Sequence, residues 1–457
     1  MPVLPTDAQL DMLGSAIPLG ITGRVSRAAG QTLEAEHLPL PIGQLVEIEA
    51  TSGLQQAEVI GFRDGHTLLM PLSGTAGVAA GDRVSNTKMS PRVRTGSGLL
   101  GRVIDGFGKP IDGLGSLPSG DARPLDPPRL NPLIRVPIRK PLATGVRAID
   151  ALLTCGRGQR VGLFAGPGVG KSTLMAHVAK HTDADVSVIA LIGERGREVA
   201  DFLHDTLGPE GLKRSVVIVS TGDDTPLLKV RAAKLACAVA EGFRDAGQNV
   251  LMLMDSLTRL AHAQRQIGLA AGEPPATRGY PPSVFALLPS ILERAGTTQT
   301  GTITGFYTVL VEGDDFDEPI ADAVKGIADG HFLLSRKLAE RGHYPAIDVL
   351  QSVSRVRTAV TDPVHRGRAE RILQLESMHR DLADLLSVGA YASGQNPEHD
   401  LAVAAHDTIQ QFLRQVEGDH DDFAAARRKL DMIHAQIENA AAQMRAQQGQ
   451  AQSPPQQ

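Results

Sequence analysis

This 457-residue sequence has few cysteines and no excess of basic over acidic residues. The two cysteines, Cys155 and Cys237, are far apart and lack the close spacing of a zinc knuckle or a redox pair. This spacing favours a reducing compartment and leaves open a pair that is close only in space. The formal net charge of −5 argues against binding to nucleic acid by counterion release, although it does not exclude local basic patches.

Long apolar runs are also absent. No segment reaches the length that spans a bilayer, and the N-terminal stretch MPVLPTDAQLDMLGSAIPLG lacks the basic start and the apolar core of a signal peptide. We therefore expect a soluble protein. Its length predicts two or three domains, and no internal repeat is visible.

Turn residues and alternating apolar residues predict the organisation of the first third of the chain. Residues 1–20 are weakly patterned and are expected to form a frayed segment or, as the alternative, a partner-binding helix. Residues 21–90 show short apolar alternations broken by Gly, Pro and Asp-Gly, which predict a β-barrel domain. Residues 91–141 are rich in Pro and Gly and predict an extended linker.

Strands and helices alternate in the middle of the chain. In residues 142–360 the runs RVGLFA, VSVIALI, SVVIVS and NVLMLMD predict buried strands, and STLMAHVAKHT predicts a helix. This α/β alternation indicates a parallel sheet covered on both faces. Residues 361–440 have apolar residues at helical spacing and predict a C-terminal helical domain. The Ala/Gln-rich residues 441–457 predict a disordered tail.

The stretch AGPGVGKS, residues 165–172, predicts a phosphate-binding loop because it lies between an apolar strand and a helix. Lys171 would neutralise the outer phosphates, and the Ser172 hydroxyl would ligate Mg²⁺. The strict pattern has Gly where Ala165 stands, and the alternative is a glycine-rich turn with a chance Lys-Ser pair. The residues assigned to the nucleotide are Gly166, Pro167, Gly168, Val169, Gly170, Lys171, Ser172 and Thr173.

Two carboxylates follow predicted strands and complete the candidate site. Asp255 ends VLMLMD, where a metal-side carboxylate is expected, although buried strands also end in Asp for turn formation. Glu194, in LIGERGRE, follows VSVIALI, and the carboxyl ends of such strands gather at the ligand crevice. A solvated charged turn is the equal alternative for Glu194.

These motifs occur in the order found in a known family. AGPGVGKS, GERGRE, the Asp255 strand and SVSRV at 352–356 resemble the catalytic subunits of rotary F-type and related hexameric ATPases. The segments GLLGRVIDGFGKPIDG at 98–113 and GYPPSVFALLPSILERAG at 279–296 resemble one branch, the type III export ATPases of the flagellum and the injectisome. The resemblance spans residues 20–435 and implies a P-loop (RecA-like) core with an N-terminal barrel and a C-terminal helical domain.

The resemblance also implies roles for individual residues. Asp255 corresponds to the Walker B carboxylate that, with Ser172, holds Mg²⁺ beside ATP. Glu194 corresponds to the residue that polarises the attacking water, and Arg195 supports the site. Arg355, in SVSRV, corresponds to the arginine finger that enters the neighbouring subunit's site; from its position alone it would be a surface ion-pair residue.

A finger supplied by a neighbour predicts a homohexamer that is active only when assembled. The resemblance implies central and peripheral stalk proteins, an export gate, chaperone–substrate complexes and a position at the cytoplasmic face of the inner membrane export apparatus. VLQSVSRV and LLSVGAYASGQNP favour the flagellar members over the injectisome members. The apolar residues of VFALLPS are assigned equally to core packing and to a pore that contacts the central stalk. No adenine-stacking residue is assigned, because no aromatic follows SVSRV closely.

Three alternative functions have different sequence requirements. A rotary synthase catalytic subunit would carry an acidic rotor-facing segment where this chain has SVGAYASGQNPEHD at 387–400. A catalytically dead α-type subunit would lack Glu194. An RNA-translocating hexamer would need aromatic stacking residues in the barrel, where Phe62 is the sole aromatic before residue 90, so we expect no nucleic acid partner.

Overall fold

The computed structural model describes residues 20–87, 92–311, 316, 318–416 and 418–451. Residues 1–19 lie outside this set, so the expected N-terminal segment stays a prediction. Within the described residues, no helix combines the length and the apolarity needed to cross a membrane.

The N-terminal strands form a closed six-stranded barrel in the order β1-β2-β5-β4-β3-β6. Alternate side chains point inward, as in LVEIEA, where Val46 and Ile48 are fully buried. The alternation therefore produces the predicted barrel. Its strands are β1 Thr22–Ala29, β2 Thr32–Glu36, β3 Leu45–Ala50, β4 Gly53–Arg63, β5 His66–Pro71 and β6 Arg83–Asn86.

The segment predicted to be an extended linker contributes a strand to the main sheet. Strand β8, Val103–Asp105, pairs in parallel with residues 217–219, and Val103 and Ile104 are buried. The sequence analysis missed this strand because three residues are too few to show a period. The other short strands of this region are β7 Arg92–Thr95 and β9 Asp121–Pro124. The short strands β10 Pro141–Leu142 and β11 Cys155–Gly156 follow it.

A nine-stranded sheet forms the core of the chain, in the order β19-β18-β12-β17-β15-β13-β14-β8, with β16 added beside β17. Strands β8, β12, β13, β14, β15, β17 and β18 run parallel, and β16 and β19 are antiparallel to their neighbours. The remaining strands are β12 Arg160–Ala165, β13 Val186–Glu194, β14 Ser215–Thr221, β15 Asn249–Asp255, β16 Gly296–Thr297, β17 Thr302–Leu310, β18 Gly330–Leu334 and β19 Val353–Ser354.

Helices cover both faces of this sheet, as the continuous apolar strands require. The helices around the sheet are α1 Lys171–His181, α2 Gly196–Asp201, α3 Gly208–Lys213, α4 Pro226–Asp245, α5 Leu257–Ala271, α6 Pro282–Leu292, α7 Pro319–Ile327, α8 Arg336–Glu340 and α9 Arg357–Val360. The C-terminal domain contains α10 Pro363–Ser387, α11 Pro397–Leu413 and α12 Phe423–Ala451.

The last helix continues into the segment predicted to be disordered. Helix α12 ends at Ala451, so 441–451 is helical, while 452–457 lies outside the described residues. Its apolar stripe extends further than the sequence analysis recognised, and Ala and Gln are good helix formers. The stripe packs on the helical core through Leu430, Ile433, Ile437, Ala441 and Met444.

Candidate active site

The phosphate-binding loop joins the end of β12 to the start of α1. Gly168 and Gly170 have φ values of 76° and 86°, a left-handed conformation that side chains with a Cβ rarely adopt. The loop thus leads directly into the N-terminus of an eleven-residue helix. Free backbone N–H groups at a helix N-terminus bind phosphate. Ala165 is a fully buried strand residue paired with Leu310 and Leu334, so a small side chain suits this position.

The other residues assigned to the loop lie around this turn. Gly166 and Val169 are buried, whereas Pro167, Gly168, Ser172 and Thr173 are exposed. An exposed serine in the first turn of α1 is accessible to a metal ion on the loop.

A lysine and two carboxylates from three neighbouring elements meet beside the loop. The Nζ atom of Lys171 lies 2.6 Å from Oδ1 of Asp255, to which it donates a hydrogen bond, and 3.5 Å from Oε1 of Glu194. Asp255 and Glu194 are 3% and 7% exposed, so these charges interact away from bulk water. The structure thus brings together three residues that are separated in sequence.

Asp255 is held by a further contact from the sheet. The hydroxyl of Thr308, on β17, donates to Oδ1 of Asp255 over 2.6 Å, and Thr308 is fully buried. Strands β15 and β17 are direct neighbours, so this bond fixes the carboxylate against the core of the sheet.

Arg259 is a site residue that the sequence analysis missed. Its Nη1 lies 3.0 Å from Oε2 of Glu194 and donates to the carbonyl oxygen of Gly193. Arg259 stands on α5, four residues after Asp255. Its position, about one helical turn beyond the end of a strand, is the sequence signal that could have identified it. The guanidinium holds the Glu194 carboxylate in place.

Burial is the main cause of an altered pKa at Glu194. Together with the Glu198 carboxylate, which accepts a hydrogen bond from the protonated form, and the charge of Asp255, burial raises the pKa of Glu194 to about 7. Lys171 and Arg259 oppose this shift. Oε1 of Glu194 is buried and accepts no hydrogen bond from the described residues. A carboxylate whose pKa lies near neutral pH, beside the phosphate loop, is suited to orienting water.

Arg195 is not in contact with the phosphate loop. Its exposed side chain donates a hydrogen bond of 3.1 Å to Oε1 of Glu198 at the start of α2. Arg195 therefore reaches Glu194 through Glu198 in the described contacts.

Arg355 lies beside the amino end of β12, at the opposite end of that strand from the loop of its own chain. Its backbone N–H bonds to Asp329, whose N–H bonds to Arg160, the first residue of β12. The loop begins after Ala165, the last residue of that strand, so the two positions are separated by roughly 16 Å of strand. The exposed Arg355 side chain donates to the carbonyl of Lys325.

A cavity of about 490 Å³ opens beside the phosphate loop. Gly170 and Thr173 line one side, and the aromatic ring of Tyr344 approaches Gly170 so closely that a Cβ there would lie 3.4 Å from it. Residues 414–416 also line the cavity. Tyr344 thus provides an aromatic surface beside the loop. The stacking residue was expected only after SVSRV, whereas Tyr344 precedes that segment, in GHYPAID.

The residues present fit ATP and Mg²⁺. Ser172 and Asp255 supply the oxygen atoms that Mg²⁺ prefers, and Lys171 supplies a cation for phosphate. The buried Oε1 of Glu194 accepts no hydrogen bond from the described residues and lies 3.5 Å from the Lys171 ammonium, so its capacity to accept a hydrogen bond is unused.

The apolar residues of α6 pack inside the chain. Val284 and Leu288 are fully buried and Leu287 is 9% exposed, and the partly buried Phe285 packs against the same core. Core packing therefore accounts for these four residues.

A phosphate loop on a parallel sheet, preceded by a barrel and followed by a helical domain, defines a P-loop ATPase of the ATP synthase α/β type. The family models agree: the β-barrel domain of the ATP synthase alpha/beta family matches residues 25–88, and its nucleotide-binding domain matches 145–354. The C-terminal domain of the type III secretion ATPase EscN matches 361–432.

Individual relatives narrow this class. The flagellum-specific ATP synthase of Pseudomonas aeruginosa is 52% identical, over 91% of this chain and 93% of that protein. The type 3 secretion system ATPase of Sinorhizobium fredii is 48% identical, over 88% and 90%. The assembled ATPase EscN of enteropathogenic E. coli has a TM-score of 0.85 at 41% identity, covering 90% of this chain and 100% of that one. This chain belongs to the family of type III export ATPases.

Proposed function

We propose that this chain hydrolyses Mg²⁺-bound ATP at the subunit interfaces of a homohexamer and so energises delivery, unfolding or chaperone release of export substrates. The observation that carries the proposal is Lys171 placed between Asp255 and Glu194 at the phosphate loop. The assembled form of EscN supports the ring.

The chemistry is an attack of water on the terminal phosphorus, which breaks the bond to the ADP oxygen. Glu194 orients the water and accepts its proton, while Arg259 keeps the carboxylate in position. Lys171 neutralises the terminal phosphate oxygens. Ser172 and Asp255 hold Mg²⁺, which supplies positive charge to the phosphates when bound.

Arg355 completes this site in the neighbouring subunit. Its place at the amino end of β12 supports this role, because each chain carries its loop at one end of that strand and Arg355 at the other. A ring of identical chains then completes every interface. Arg195 contributes by fixing Glu198 beside Glu194.

The adenine base lies in the cavity beside the loop and stacks on Tyr344. The cavity adjoins Gly170 and Thr173, so a nucleotide with its phosphates on the loop extends its base toward this ring. Aromatic stacking favours any flat base, so the other walls decide which base is preferred.

The proposed partners are a central stalk, a peripheral stalk, the export gate and chaperone–substrate complexes, at the cytoplasmic face of the inner membrane. The structure of EscN with its central stalk EscO, at 41% identity, supports the first of these. Flagellar use is favoured over injectisome use because relatives named flagellum-specific reach 50–52% identity in three organisms.

The test replaces Glu194 by Gln at the native locus and measures motility, external filament protein and other secreted proteins. Loss of filament protein and motility, with the variant at normal abundance, is the expected result. Loss of other secreted proteins with intact motility would show injectisome use. Unchanged secretion of both kinds would refute the role of Glu194 or of export.

A further inference from the structure

A buried arginine joins the base cavity to the C-terminal domain. Arg147 lies in the turn before the π-helical segment Ala148–Leu152 and is 6% exposed. Every described contact of its guanidinium goes to residues 412–414 and 419–421, at the end of α11 and in the connection to α12. The acceptors are Asp421 Oδ2 at 2.7 Å, Asp419 Oδ2 at 3.0 Å, the Phe412 carbonyl at 2.8 Å and the Arg414 carbonyl at 3.1 Å.

Gln415 connects the same segment to the cavity walls. Its Oε1 accepts the backbone N–H of Arg147 at 2.6 Å, and its Nε2 donates to the Gly145 carbonyl at 3.1 Å. Its own backbone N–H donates to the carbonyl of Tyr344 at 2.9 Å. Gln415 is 8% exposed, so these bonds form away from solvent.

The turn that carries Arg147 is itself fixed against α1. Gly145 has a φ of 77°, and a Cβ there would lie 2.5 Å from that of His181. The carboxylate of Asp150 accepts the N–H groups of Thr144 and Gly145. The turn is therefore a rigid support from which Arg147 holds residues 412–414 and 419–421.

We propose that Arg147 is a positioning residue for base recognition. By fixing residues 412–414 and 419–421 it holds the wall formed by Arg414, Gln415 and Val416 at the distance from Tyr344 that the adenine base requires. Arg147 lines neither the loop nor the charged cluster, so it affects binding of the base and leaves the phosphate contacts intact. The inference rests on the proposed position of the base.

The test measures calorimetric binding of ATP, GTP and inorganic tripolyphosphate to the full-length chain and to Arg147→Lys. Lysine keeps the charge but cannot make the forked set of bonds. We expect ATP affinity to fall about tenfold and the preference for ATP over GTP to decrease, with tripolyphosphate affinity unchanged. Steady-state hydrolysis should show a raised KM and a nearly unchanged kcat.

Two variants control for general loss of structure. Arg371→Lys weakens a comparable bridge, to Glu398 and Glu438 in the same helical domain, and should leave ATP and GTP binding unchanged. Asp419→Asn removes the more exposed partner of Arg147 and should reproduce the Arg147 effect more weakly.

Three outcomes would contradict the inference. An Arg147→Lys chain with unchanged ATP preference, or with tripolyphosphate affinity reduced as much as ATP affinity, would overturn the positioning role while the proposed function stands. A wild-type chain that binds ATP no better than tripolyphosphate would refute the proposed base position, and the inference with it.

Discussion

The two ends of the nucleotide site are built in different ways. At the phosphate end the two carboxylates are buried and rest on the sheet: Glu194 and Asp255 end the neighbouring strands β13 and β15, and Lys171 begins the helix that follows β12. The base end is an open cavity lined by Tyr344 and residues 414–416. A hydrogen bond from the C-terminal domain, from Gln415 to Tyr344, joins these two parts of its lining. The sheet therefore positions the residues proposed for hydrolysis, whereas the contacts to the base depend on how the helical domain packs against the nucleotide-binding domain.

The largest effect should come from the phosphate end. Replacing Glu194 by Gln removes the group that orients and deprotonates water, so kcat should fall by about 10²- to 10⁴-fold. ATP affinity should change little, because the loop and the base cavity are intact. Stopped-time phosphate release and equilibrium binding measure the two quantities. Glu210→Gln, an exposed position, is the matched control, and retained kcat in Glu194→Gln would contradict the assignment.

An intermediate effect should come from the base end. Tyr344→Ala removes the stacking surface, which is worth about 1–3 kcal/mol, so ATP affinity should fall by about ten- to a hundredfold. The affinity for tripolyphosphate should stay the same. Tyr344→Phe keeps the ring and should bind ATP as the wild type does. Equal losses for ATP and tripolyphosphate would remove the distinction between the two ends.

The smallest effect should be a shift in pH dependence. Because the pKa of Glu194 is raised to about 7, kcat/KM should fall as the pH decreases through 7 and the carboxylate becomes protonated. Glu198 raises this pKa by accepting a hydrogen bond from the protonated form. Glu198→Gln should therefore lower the pKa and move the acid limb of the profile to lower pH. A shift to higher pH would show that Glu198 does not act on Glu194 in this way.

The phosphate end of the site is easier to predict from the sequence than the base end, for a physical reason. The phosphate loop is a run of consecutive residues that a local pattern predicts. Asp255 and Glu194 end strands whose carboxyl ends gather at the crevice, which makes them candidates, and the family resemblance implies their roles. Arg259 and Tyr344 were missed because their contacts depend on the packing of α5 and on the path of the chain after β18. Strand β18 is the neighbour of β12, which brings the following residues to the loop.

Two features beyond the site show the same limit. Strand β8 was missed because three residues do not reveal a period, and its partner lies over a hundred residues away. The length of α12 was underestimated because the sequence around Ala441 and Met444 shows no apolar stripe of its own. These residues are recognisable as core residues only from their packing against the rest of the helical domain.

In the proposed hexamer, one chain supplies Glu194 and its neighbour supplies Arg355 to the same site. Each of the variants Glu194→Gln and Arg355→Ala should be nearly inactive alone, the second because a finger supplied in trans is worth about 10³- to 10⁵-fold in rate. Both should bind ATP almost as the wild type does.

The most direct measurement is the ATPase rate after the two purified variants are mixed in equal amounts and assembled. Random mixing places an intact Glu194 and an intact Arg355 at about one interface in four, so the mixture should regain up to about a quarter of wild-type activity. A mixture that is no more active than the separate variants, with assembly confirmed by its mass, would contradict a site shared between subunits.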